Sequence, residues 1–148
     1  MGFEELFMAS KGQPITYNGK EIKMIDKINL IFGQVKIKIF FLATDSIWKQ
    51  GLILKTKGHF EVNNKTAENK VVFWEDTAPA EFELSVNSKD KTLIIYNVWE
   101  TEDGMLHYWH NGGALHVEVE DDIRTYYCND GYPDDDFDDL IFKIEIKS

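Results

Sequence analysis

From residue 20 onward, apolar side chains recur at every second position, and no stretch sustains a helical stripe over three turns. Successive side chains of an extended chain point to opposite faces, so a period of two predicts strands. Residues 35–43 show it most plainly, with Val35, Ile37, Ile39 and Phe41 on one face, whereas residues 93–99 are apolar on both faces, as a strand inside a sheet is. The same reading predicts strands over 21–26, 52–56, 59–63, 71–74, 80–86, 105–109, 115–119, 124–128 and 140–147. Turn residues divide them: Asn18-Gly19, Lys57-Gly58, Asn63-Asn64, Asp103-Gly104, Asn111-Gly112-Gly113 and Asp130-Gly131. About eleven short strands at roughly ten-residue spacing predict an all-β, mainly antiparallel fold of the β-sandwich or jelly-roll kind. A short helix is expected around residues 3–8.

A chain of 148 residues suffices for one sizeable core and is short for two ordinary domains, so residues 1–148 are expected to form a single domain. Its formal charge of −10 is unevenly spread. Residues 1–74 carry 11 Lys against 7 acids, giving +4, and residues 75–148 carry 5 basic and 19 acidic residues, giving −14. The acidic half repels phosphates, which argues against nucleic acid or an anionic membrane surface as its partner; it suits cations or a basic protein. Cys128 is the only cysteine, which excludes an intramolecular disulfide and a multi-cysteine zinc site. The opening residues lack a basic leader with an apolar run, and the longest apolar stretch, 39–43, is far short of a bilayer span. The expectation is a cytoplasmic protein, or one exported without a leader, and no membrane insertion.

The segment Asn129-Asp130-Gly131-Tyr132-Pro133-Asp134-Asp135-Asp136-Phe137-Asp138-Asp139 crowds acidic and amide side chains directly ahead of an apolar strand. Neighbouring like charges repel by roughly 1–4 kcal/mol per pair depending on local dielectric, so a compact arrangement needs a counter-charge or full hydration. Calcium supplies one, because it accepts about 6–8 oxygen ligands in irregular geometry. Asp134, Asp136 and Asp138 stand at i, i+2 and i+4, which turns three carboxylates one way and leaves Phe137 to face the core, while Gly131 permits a tight reversal beside Asp130. An EF-hand with Asp134 first and Glu145 twelfth is excluded, because Asp139 occupies the glycine position and the flanks read as strand.

The run Asp130, then Asp134-x-Asp136-Phe137-Asp138-Asp139, then a terminal apolar strand resembles the calcium loop of the bacterial calcium-dependent lectins that bind fucose and mannose. Related acidic loops precede strands in other bacterial β-sandwich domains. The resemblance covers residues 129–147 and implies Asp130, Asp134, Asp136, Asp138 and Asp139 as calcium ligands, with the bound cations coordinating sugar hydroxyls. Asp138 stands where that family has asparagine.

Other constellations are weaker. His116, Glu118 and Glu120 share a face, but a half-exposed alternating strand produces that pattern unaided. His107 and His110 are three apart on an expected strand and face opposite ways. Cys128 is expected to be a buried structural residue, and at least two of Trp48, Trp74, Trp99 and Trp109 are expected in the core. The acids after Trp74 and Trp99 are expected on loops at the rim that carries the acidic segment. No nucleophile elbow, phosphate loop or dinucleotide fingerprint occurs, so no enzyme is expected. The sequence therefore predicts a calcium-binding module, Ca2+ its cofactor and carbohydrate its partner. The alternative is an acidic protein-interaction module of the immunity or inhibitor type that caps a basic protein without metal.

Overall fold

Alternating side chains commit the chain to pairing, and nearly every apolar segment finds a neighbour. The computed structural model describes residues 3–11, 13–17, 19–46, 48–107, 114–129, 137 and 139–147. A short helix, α1 (Phe3–Ala9), leads into β1 (Ile15–Tyr17) and β2 (Lys20–Ile22), which pair with each other. Ten strands follow: β3 (Asp26–Asn29), β4 (Gln34–Thr44), β5 (Lys49–Val62), β6 (Lys65–Trp74), β7 (Glu81–Ser88), β8 (Thr92–Glu100), β9 (Leu106–His107), β10 (Ala114–Glu120), β11 (Ile123–Asn129) and β12 (Leu140–Lys147). All ten form one antiparallel sheet in the order β10-β11-β12-β4-β7-β5-β8-β3, with β6 along β5 and β9 on β8. The all-β expectation holds, and the two facing layers belong to one sheet that curls nearly into a barrel.

The curl is made by β5. The sequence predicts two strands here with a turn at Lys57-Gly58; the structure has one long strand bent at that point. Residues 49–55 pair with β8 and residues 58–61 with β7, while β6 follows the opposite edge of both halves. A register shift between Lys55 and His59 marks the bend. Gly58 is required there: its φ is 156°, and a Cβ would overlap the Asn87 carbonyl oxygen. The Asn63-Asn64 turn fulfils its prediction, since both residues have positive φ, 51° and 66°, which a tight two-residue hairpin demands. Further differences are matters of extent. The strand expected at 21–26 is broken into β2 and β3, and the one expected at 71–74 begins at Lys65, because the outer half of β6 has Ala67 as its one apolar residue and leaves no alternation to read.

The inward faces build one core. Val35, Ile37, Ile39 and Phe41 of β4 pack with Leu52 and Leu54 of β5, Leu93 and Ile95 of β8, and Phe142 and Ile144 of β12. Tyr126 and Phe142 stack with centroids 4.7 Å apart. At roughly 1.5–3 kcal/mol for each large apolar side chain removed from water, this cluster supplies most of the drive to fold. A second cluster seals the end under α1, where Phe7 meets Ile22, Ala114 and Phe137. The sheet's open edges approach where Lys23 and Leu115 exchange two backbone hydrogen bonds of 2.8 Å, tying the chain ahead of β3 to β10.

Candidate functional site

Antiparallel order gathers the loops at two rims. The end of β4 lies beside the start of β12 through Leu140 and Thr44; the start of β5 lies beside the ends of β6 and β8 through Gly51 and Trp74, and through Lys49 and Glu100. One rim therefore collects the loops after Thr44, Trp74 and Glu100 and the connection between β11 and β12. It carries Asp45, Glu75, Asp76, Glu100, Glu102 and Asp103, so the acids after Trp74 and Trp99 stand at the rim where β11 ends and β12 begins.

The acidic segment is the loop of the β11–β12 hairpin, closed at its root by the Cys128–Leu140 pair. Of the five expected ligands, Asp130, Asp134, Asp136 and Asp138 lie outside the described residues; Asp139 lies at the root and is buried. The Asp139 carbonyl accepts a hydrogen bond from the Asp45 amide at 3.2 Å. Opposite it, the buried Asn129 accepts the Phe137 amide through Oδ1 at 3.3 Å, and its carbonyl receives Nδ2 of Asn97 from β8 at 3.0 Å. Phe137 faces the core as expected, in a left-handed conformation with φ of 58°. The loop is thus fixed at both feet: Phe137 is driven inward, and a carboxylate is held at the base.

Cys128 is fully buried, and burial together with the Asp139 charge pushes its thiol pKa well up, the opposite of what a thiolate nucleophile needs. His116 bonds the Glu21 carbonyl at 3.1 Å and lies 3.7 Å from Glu118, with Glu120 exposed beyond; among the described residues no group of three His, Cys, Asp or Glu is placed to hold a metal. His107 stacks on Trp99, and His110 lies outside the described residues. Trp99 is fully buried while Trp48 and Trp74 are half-buried; Trp109, the fourth of the tryptophans of which at least two were expected in the core, lies outside the described residues. Trp74 packs against Gly51, and Lys49 Nζ sits 4.9 Å from its ring centroid. That ring borders a pocket of about 220 Å³ lined by Val62, Val72, Phe73, Phe82 and Pro79.

A second polar cluster escaped the sequence reading. Asp26, the first residue of β3, is completely buried and accepts the Tyr126 hydroxyl at 2.7 Å and Arg124 Nε at 3.1 Å from β11, and Lys23 Nζ at 3.2 Å. Burial pushes the Asp26 pKa up; the hydrogen bonds from Tyr126 and Arg124 and the nearby positive charges outweigh it and hold the carboxyl below its ordinary value. Burial and the Asp26 charge raise the Tyr126 hydroxyl well above its own. The cluster spans the seam and saturates its anion, so it acts as a lock on closure. A hint was present: Asp26 falls in step with Ile28 and Leu30 on an inward face, and Arg124 in step with Tyr126 and Cys128.

The chain matches no protein family, no curated protein and no solved structure.

Proposed function

We propose that the chain is a calcium-binding β-sandwich module whose site is the β11–β12 loop, with carbohydrate as the ligand of the bound cation. The observation that supports it is Asp139, a carboxylate buried at the root of a pinned hairpin loop whose sequence adds Asp130, Asp134, Asp136 and Asp138. Fixed feet lower the entropy lost when a loop closes on an ion, and a divalent cation offsets the mutual repulsion of the aspartates. Coordination positions left to water are those a vicinal diol takes.

The test is thermal unfolding with and without millimolar Ca2+ at constant ionic strength. A native-state ligand at about 100 times its Kd stabilises by about 2.7 kcal/mol, so the expected result is a clear rise in Tm that chelator reverses and that Asp134→Ala with Asp136→Ala abolishes. No calcium response in the wild type ends this reading. A glycan array probed with and without chelator then tests the sugar.

The acidic rim favours a second reading, because its carboxylates extend beyond one loop to those following Thr44, Trp74 and Glu100. A basic protein would be drawn to that spread of charge at a rate that falls with salt and ignores chelator, as an immunity or inhibitor module requires.

A further inference from the structure

The opposite rim has the reverse character. Three turns meet there: residues 30–33 between β3 and β4, residues 89–91 between β7 and β8, and the bend of β5 at 55–58. Backbone bonds weld them together, from Leu30 N to Lys91 O, Ser88 N to Gly33 O and Lys89 N to Lys57 O, each 2.7 Å. Leu30 is buried, and a Cβ on Gly33 would come within 3.1 Å of the Ser88 carbonyl, so both feet of the 30–33 turn are held down. Ile31 and Phe32 are left outside, 76% and 54% exposed, two large apolar side chains side by side in sequence. Scattered exposed apolar residues need no explanation, but an adjacent aliphatic–aromatic pair on a rigid tip does.

Lys57, Lys89 and Lys91 stand on the turns bonded to that tip and Lys55 just ahead of the bend, all exposed and none in a salt bridge among the described residues, though the charge of Lys57 acts on Asp90. Lys27 reinforces them: it and Lys55 pair with Ile94 from either side, which puts both on one face of the sheet. The one carboxylate in the three turns, Asp90, is engaged by the Ser88 and Thr92 hydroxyls and the Thr92 amide. Of the other acids at this end, Glu68 pairs with His59 beside the bend, Glu145 pairs with Ile123, and Glu120, Asp121 and Asp122 sit on the turn between β10 and β11, with β12 and β4 between them and β7 in the sheet order.

We propose that this rim docks on an anionic lipid bilayer, with Ile31 and Phe32 entering the headgroup boundary and the neighbouring lysines on the lipid phosphates. A basic patch alone suits any polyanion; the apolar pair beside it has a place to go in a bilayer and none on a phosphate backbone. The repulsion expected of the acidic half of the sequence is weaker here, because Glu75, Asp76, Glu100, Glu102, Asp103 and Asp139 of that half lie at the other rim. Docking is superficial and needs no spanning segment.

The experiment is co-sedimentation of the full chain with phosphatidylcholine vesicles, with and without phosphatidylserine, in chelator so that calcium bridging at the acidic rim plays no part. Wild type should pellet with the phosphatidylserine vesicles alone, and less so as salt rises. Ile31→Ser with Phe32→Ser should weaken binding at least about tenfold, and Lys57→Glu with Lys89→Glu by roughly fivefold or more for each lysine. All four side chains are exposed, so both variants should melt as wild type does. Equal pelleting with both vesicle types, no pelleting, or a serine variant that binds as well as wild type overturns the proposal. So does binding of a single-stranded oligonucleotide that the serine variant retains in full, if vesicle binding is weaker than that.

Discussion

Asp26 keeps its charge where water does not reach, and three donors make that tolerable. Removing one partner from a buried charged set costs about 3–5 kcal/mol, because the others are stranded. Asp26→Asn keeps an acceptor for Tyr126 but loses the charge that Arg124 and Lys23 face, so a loss of about 3 kcal/mol in urea unfolding at pH 7 is expected. The pH dependence gives the cause. The folded pKa lies below the ordinary carboxylate value, so this contribution is fully present above the unfolded pKa, about 4, and is lost as pH falls through the folded one. Wild type and variant should therefore converge in acid, below about pH 4. A gap that stays constant between pH 7 and pH 2 would assign the loss to packing instead.

At the scale of single elements, β5 decides the architecture, because one strand serves both walls of the curl. The bend rests on Gly58. Gly58→Ala should cost roughly 2 kcal/mol or more, since its Cβ would strike Asn87 backbone that cannot move without breaking the β5–β7 pairs. Gly104→Ala is the control: φ is 80° there, yet the nearest atom a Cβ would meet is Glu100 Oε1 at 3.9 Å, so only about 1 kcal/mol is expected. Equal effects at the two sites, measured by urea unfolding, would contradict the bend. This glycine also marks where sequence reading stopped. Alternation found the core face of β4 residue by residue and the hairpin at Asn63-Asn64, because both signals are local. Lys57-Gly58 looks the same in sequence whether the chain reverses or bends, and the choice depends on β7, about thirty residues downstream. The site divided in the same way. Phe137 facing inward followed from the spacing, whereas Asp26 could not be paired with Arg124 and Tyr126, which are 98 and 100 residues away.

Over the whole molecule, the division that counts is between rims rather than between halves of the sequence. The +4 and −14 of the two halves are rearranged by antiparallel order, so that Asp45 from the first half joins Glu75, Asp76, Glu100, Glu102 and Asp103 at one end, while Lys89 and Lys91 from the second join Lys55 and Lys57 at the other. Like charges gathered at each end repel within the folded state and separate on unfolding. Their repulsion is screened over about 30 Å at 0.01 M salt and about 3 Å at 1 M. Raising sodium chloride across that range in chelator should therefore stabilise the chain by about 1 kcal/mol, or roughly 2–4 °C in Tm for a domain of this size. The Asp134→Ala, Asp136→Ala chain should show a smaller rise, having lost two charges from the denser rim, and the Lys57→Glu, Lys89→Glu chain also a smaller one, because its basic rim has become mixed. A Tm that is flat or falls with salt, in a monomeric sample, would mean that opposite charges between neighbouring loops already balance at each rim, and the two-ended layout of charge would then have no energetic consequence.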